Sequence, residues 1–336
     1  MTLWYSLILV VILTLVGLFG SQVNGLQPLF GIVLPYIALV TFIIGIIMKV
    51  LKWAKSPVPF RIPTTCGQAK SLPWIKNDNL ESPSNTISVI GRMILEILFF
   101  RSLFRNTRME IKEGSKVVYA STKFLWMAGM AFHYTFLVIL LRHFRFFVDP
   151  TPQFVIWIQN LDGFFQVGLP IFYLTDMVFL AAVSYLLLRR LADSKIRYIS
   201  LAGDYFPLLL LLAIGTTGFL MRHFTKVDLI GVKELTVGLL SLQPVIPDGI
   251  GSLFFLHLFL VSCLLAYFPF SKLMHMAGVF LSPTRNLANN NRMKQHVNPW
   301  NYDVKLHPYE EYEDEFREVM RGAGLPLDRD PEEEKK

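Results

Sequence analysis

Four histidines stand inside long apolar stretches: His133 and His143 in one, His257 and His275 in another. An imidazole at membrane depth is costly and normally faces a functional interior. On an ideal helix, ten residues separate His133 from His143 by about 15 Å, and eighteen separate His257 from His275 by about 27 Å. If the two stretches run in opposite directions, His143 meets His257 near one face of the membrane and His133 meets His275 near the other. Two neutral imidazoles on facing helices can each give a nitrogen to one iron, with an apolar macrocycle filling the gap between the helices. The chemistry suggested is six-coordinate b-type haem, twice over. The two rises differ by about 12 Å, and His133 and His143 are about 80° apart in rotation on their helix. Pro269, six residues before His275, is the residue able to bend the second stretch and absorb part of that difference.

The stretches that position these histidines dominate the chain. It has 336 residues, 53% hydrophobic and 17% charged, with 28 Phe. Its mean hydropathy is +0.45. A soluble enzyme would carry about 25% charged residues. Six stretches reach the length of a bilayer span: roughly Leu3 to Gly20, Leu29 to Leu51, Val117 to Leu141, Gln166 to Leu188, Ile199 to Met221, and Ile250 to Pro269 with an extension toward Phe280. The first has no basic residue ahead of it and no small-residue cleavage site, so it reads as a retained anchor. The expected fold is an all-α polytopic membrane protein of six transmembrane helices.

Basic residues mark the side retained in the cytoplasm. Residues 49–116 hold twelve basic and five acidic residues, and Arg189, Arg190, Lys195 and Arg197 join the fourth and fifth stretches. The opposing loops hold Arg142, Arg145, Arg222, Lys226 and Lys233. Both termini are therefore expected in the cytoplasm, on a multi-pass protein of the cytoplasmic membrane. Topology accounts for the net charge of +7, with no call for nucleic acid as a partner. Cys66 and Cys263 are too few and too isolated for a disulfide framework, an iron-sulfur cluster or covalent c-type haem.

Four segments follow: 1–51, two N-terminal transmembrane helices; 52–116, a cytoplasmic loop and amphipathic helix; 117–282, a four-helix di-haem domain; and 283–336, a cytoplasmic tail. Ser56 to Pro83 reads as an irregular loop. Ile87 to Arg108 has Ile90, Ile94, Ile97 and Leu98 on one side, with Arg92 and Glu96 expected to pair at i and i+4, the pattern of a helix lying on membrane lipid or against a partner. His296 and His307 lie in the tail, too far apart for a metal motif.

The other polar groups keep two readings each. Arg142, Arg145 and Arg222 are placed to meet haem propionates or simply to snorkel to the interface. His223 is either a proton acceptor for a quinol or a solvated interfacial histidine. Asp176, taken as central in the fourth span, and Asp204, near the inner end of the fifth, either carry protons or are capped by neighbours. Gly215, Thr216, Thr217 and Gly218 allow close approach of a helix or a haem face.

The 10 and 18 histidine spacings on two antiparallel spans resemble those of the cytochrome b (gamma) subunit of respiratory nitrate reductase. Together with SPVPFRIPTTCGQAKSLPW (56–74), RSLFRNT (101–107) and the six-span layout, they resemble the membrane cytochrome b (M) subunit of the sulfite-reduction-associated DsrMKJOP complex, also described as a heterodisulfide-reductase-like menaquinol-oxidising complex. The resemblance covers nearly the whole chain. It implies two haem b, menaquinone or menaquinol as redox partner, and electron transfer to a cytoplasmic iron-sulfur subunit related to heterodisulfide reductase. It also implies further membrane, ferredoxin-like and multihaem cytochrome c subunits in dissimilatory sulfur metabolism. The chain would be the quinone-reactive part of an oxidoreductase, without acting on the sulfur substrate itself. Two other classes remain open at this stage: a proton or ion transporter using Asp176 and the membrane histidines, and a non-redox membrane anchor.

Overall fold

The computed structural model describes residues 2–57, 67–114, 116–163, 172–293, 303 and 305–328. Cys66 and His296 fall outside the described residues. The chain divides into two units, Met1–Met293 and Lys294–Lys336.

The first unit is built on helices. α1 (Thr2–Gly20) and α2 (Leu34–Ala54) are followed by α3 (Thr86–Phe99) and α4 (Arg101–Arg105), a hairpin of β1 (Thr107–Lys112) and β2 (Lys116–Ser121), and α5 (Lys123–His143). Next come α6 (Gln153–Asp162), α7 (Leu174–Ala192), α8 (Ser194–Ile199), α9 (Ala202–Leu220), α10 (Leu229–Leu240), α11 (Ser252–Tyr267), α12 (His275–Leu281) and α13 (Pro283–Asn286). The second unit holds α14 (Tyr309–Gly322). Among the described residues, five helices are long and apolar enough to cross a membrane: α1, α2 with the π-turn before it, α5, α9 and α11 with their C-terminal turns. α7 has 19 residues but carries Asp176, Arg189 and Arg190, and is not one of the five.

α5 packs on α7, α7 on α9, and α9 on α1 and α11, while α2 lies against α11. Two apolar clusters result. One joins α1, α9, α10 and α11 around Leu210, Leu235, Phe255 and Leu260; the other joins α5, α7 and α9 around Phe179, Val183 and Leu211. Between membrane helices, close backbone approach replaces the hydrophobic effect as the source of affinity. Gly215 shows this, because a Cβ there would lie 2.7 Å from the Phe179 ring. α5 and α11, which carry the histidines, share no extensive backbone packing among the described residues.

Several boundaries differ from expectation. The third span starts at Lys123, because KVVYAS (116–121) pairs antiparallel with TRMEIK (107–112). A short apolar run of β-branched residues suits a strand as well as a helix. α7 begins at Leu174, so Asp176 lies in its first turn and not at its centre. The long amphipathic segment breaks at Phe100, whose φ of 49° is left-handed, separating α3 from α4. α3 leaves Ile87, Ile90, Ile94 and Leu98 exposed along one side, as its pattern requires. The Arg92–Glu96 pair does not form. Glu96 accepts hydrogen bonds from the Ser102 backbone N–H (3.0 Å) and hydroxyl (2.8 Å), and Arg285 approaches it at 3.7 Å. Arg92 turns inward and is buried, which pulls its pKa below the usual arginine range. Arg101 and Arg105 both pair with Glu81.

The sixth stretch is interrupted where Pro269 removes a helical donor. α11 stops at Tyr267, two short 3₁₀ turns cover residues 268–270 and 272–274, and α12 restarts at His275.

Candidate functional site

The interruption after Tyr267 brings the second pair of histidines together. The rings of His133 and His275 lie 5.9 Å apart, centre to centre, with planes at 83°. At the other end of α5, the His143 and His257 rings lie 6.5 Å apart and nearly parallel, at 10°. Both cross-helix pairs expected from the spacing are present, one at each end of the gap between α5 and α11–α12.

The tautomers are fixed by their neighbours. Nδ1 of His133 lies 2.8 Å from the Gly129 carbonyl, that of His143 2.7 Å from the Ile139 carbonyl, and that of His275 2.8 Å from the Lys272 carbonyl. A carbonyl only accepts, so each Nδ1 carries the proton and each Nε2 keeps its lone pair. His257 does the same through Thr217. That hydroxyl directs its own hydrogen to the Ala213 or Ile214 carbonyl, both at 2.9 Å, and accepts from Nδ1 of His257 at 2.9 Å. Metal-bound histidines are oriented in this way, by a hydrogen bond from the nitrogen that does not touch the metal.

The arrangement fits a haem iron. A metal held between two imidazole nitrogens at about 2 Å from each separates the ring centres by roughly 6 Å. Both pairs have that separation. Gly218 leaves the flank of His257 open: a Cβ there would sit 3.3 Å from Cε1 of the ring. Among the described residues no three His, Cys, Asp or Glu side chains converge as a non-haem metal centre would need. Two protein ligands per iron suffice when a porphyrin supplies the other four. Thr217→Val should therefore weaken retention of the metal group at the His257 pair by about tenfold or more, read as haem lost on dilution in detergent, with the His133 pair unaffected.

Beside His143 lies a buried charged cluster. Arg142 pairs with Asp162 at 2.9 Å and with Asp176 at 2.5 Å. Asp162, the last residue of α6, also accepts from the backbone N–H (2.9 Å) and hydroxyl (2.6 Å) of Thr175, tying α6 to the first turn of α7. The guanidiniums of Arg142 and Arg222 lie 4.1 and 3.9 Å from the centre of the Tyr173 ring. His223 sits in the π-helical turn Met221–Thr225 that ends α9. It is not solvated: its ring is buried 4.5 Å from both Phe172 and Phe219, and among the described residues neither nitrogen has a hydrogen-bond partner. Its Nε2 is 3.9 Å from Asp176. Arg142 is thus held by two aspartates instead of snorkelling. Arg145 lines an open groove of about 630 Å³ with Phe146, Lys233, Val237, Gln243 and Val245. Asp204 is occupied by Lys272 (2.6 Å) and by the Leu201 backbone N–H (3.0 Å).

Asp162, Thr175 and Tyr173 escaped the sequence reading. Asp162 had a signal, as an acid close to an apolar stretch, whereas Tyr173 had none. His307 belongs to the second unit and lies 3.7 Å from Glu311.

The model of the nitrate reductase gamma subunit family matches residues 92–292, a region that includes all four paired histidines. The chain belongs to the nitrate reductase gamma subunit family. Two relatives of this gamma-type chain are each named Hdr-like menaquinol oxidoreductase cytochrome b-like subunit. The protein from Archaeoglobus fulgidus is 46% identical over 286 residues, covering 83% of this chain and 85% of the relative. The protein from Archaeoglobus profundus is 41% identical over 280 residues, covering 81% and 83%. The resemblance read from the histidine spacing and the loop motifs is borne out.

Proposed function

We propose that the chain is the di-haem b, quinone-reactive membrane subunit of an oxidoreductase complex. His143 and His257 hold one haem, and His133 and His275 hold the other. The observation that carries this is the set of four imidazoles, each with Nδ1 engaged and Nε2 left for metal, opposed in two pairs. When bound, the two haems supply one-electron carriers at two depths of the membrane.

The chain's own residues do the remaining work. In this reading α7 joins the other five as the fourth of six spans, both termini are cytoplasmic, and the His143 end faces outward, where quinol reacts. His223 is placed to take a quinol proton, and the Asp176 carboxylate stabilises the imidazolium that forms. Arg142 and Arg222 keep the local field positive enough to favour loss of that proton. The names of the Archaeoglobus relatives support menaquinol as redox partner and an Hdr-like complex as the setting; in this reading the acceptor is a cytoplasmic iron-sulfur subunit related to heterodisulfide reductase. The wider assembly, with its ferredoxin-like and multihaem cytochrome c subunits and its role in sulfur metabolism, is part of the same proposal. A transport role has less support, since Asp176 is tied to Arg142 at a helix end and offers no mid-membrane carboxylate.

The test is a dithionite-reduced spectrum of the purified protein with its haem-to-polypeptide ratio. Two b-type haems per chain are expected, and a colourless preparation from haem-sufficient cells would overturn the proposal. His223→Leu should keep both haems yet slow quinol oxidation by about 100-fold. An unchanged rate would remove His223 from the proton path.

A further inference from the structure

The tail helix α14 carries a pattern that electron transfer does not use. Tyr309, Tyr312, Phe316 and Val319 recur at i, i+3, i+7 and i+10, which places them within about 80° of arc. All four are exposed, at 49%, 47%, 39% and 70%. Tyr312 and Phe316 lie 4.9 Å apart and Tyr309 and Tyr312 6.3 Å apart, forming a continuous aromatic ridge. The adjoining strip is already covered. Met320 and Glu313 are buried, and Glu313 accepts from the Asp328 backbone N–H at 2.8 Å where the chain folds back. The far side is acidic, with Glu310, Glu311, Asp314, Glu315 and Glu318.

Charge selects what covers the ridge. An anionic membrane surface attracts basic segments at about 1 kcal/mol per Lys or Arg. α14 has six acidic residues and only Arg317 and Arg321 to set against them, so that surface repels it. A second copy of the same helix would bring two acidic flanks together. A fourteen-residue helix is also marginal on its own and gains most from packing. Aromatic residues at this spacing are the anchors of helix-in-groove recognition.

We propose that α14 docks its Tyr309, Tyr312, Phe316 and Val319 ridge into an apolar groove, rimmed by lysine and arginine, on a soluble protein subunit. The inference rests on the proposed function only in taking the partner to belong to the same membrane assembly.

The experiment uses the complete assembly extracted from membranes, with a photo-crosslinking benzoylphenylalanine replacing Tyr312, or Asp314 on the opposite side as control. From position 312 the expected main adduct is a peptide of a co-purifying soluble subunit in which apolar residues are flanked by Lys or Arg. Adducts chiefly to lipid, to a second copy of this chain or to its own residues would overturn the proposal, as would an equal yield from position 314. Tyr312→Ser combined with Phe316→Ser should reduce retention of that subunit about tenfold, and more at higher ionic strength. Undiminished retention overturns it. The haem-to-polypeptide ratio, measured on the same samples, reports on the proposed function separately.

Discussion

His257→Ala is expected to leave one b-type haem per chain instead of two, and His133→Ala is expected to remove the other. The two losses are independent because the pairs sit at opposite ends of α5, about 15 Å apart along its axis. In the proposed arrangement each haem would be held by both imidazoles of its pair, so loss of either should release it. Losing His257 leaves His143 facing an empty position, with its Nδ1 still fixed by Ile139. The polypeptide should survive the change. His257 borders Gly218 and hydrogen-bonds Thr217, while the helix is held by its neighbours Phe255, Leu256, Phe259 and Leu260. The checks are the haem-to-polypeptide ratio and the low-spin signal of the remaining haem. If both variants kept two haems, neither pair would be an axial ligand set.

The histidine pairing was legible because membrane depth and chain direction suffice to decide which ring meets which. The expected mismatch of about 12 Å was a property of ideal helices, and the helix break after Tyr267 removes the premise. Pro269 marked the place but could not reveal that the chain restarts as a helix at His275 itself. The hairpin at 107–121 was hidden because only three residues separate the apolar residues of its second strand from those of α5, so that both read as one apolar stretch. Arg92 and Glu96 have the right spacing to pair, yet Glu96 is taken by Ser102 from beyond the break at Phe100, a tertiary contact that no local pattern contains. Asp176 was misplaced along its helix for a related reason: hydropathy gives the extent of an apolar stretch and not where its backbone becomes helical. Thr217 stood out only as a small residue, and its role emerged once His257 faced it.

The second large effect is expected at Arg142, where Arg142→Leu should destabilise the detergent-solubilised protein by about 3–5 kcal/mol. The side chain is only 11% exposed, and its partners Asp162 and Asp176 are 3% and 14% exposed. Removing the cation leaves two carboxylates that, among the described residues, have no other arginine or lysine at ion-pairing distance, since Arg222 is positioned over Tyr173. The cost of an uncompensated buried charge then exceeds the apolar contact that leucine gains. Asp162→Asn should cost less, because an amide oxygen still accepts from Thr175 while Asp176 still pairs with Arg142. The order Arg142→Leu worse than Asp162→Asn separates a charge network from simple packing, for which leucine would be the milder change. The effect should also reach the neighbouring His143 pair, whose loss of haem on heating is expected to precede that of the His133 pair. Thermal unfolding followed at the haem band and by helical circular dichroism measures both. Equal stability of the Arg142 variant would mean that the two aspartates are compensated from outside this cluster.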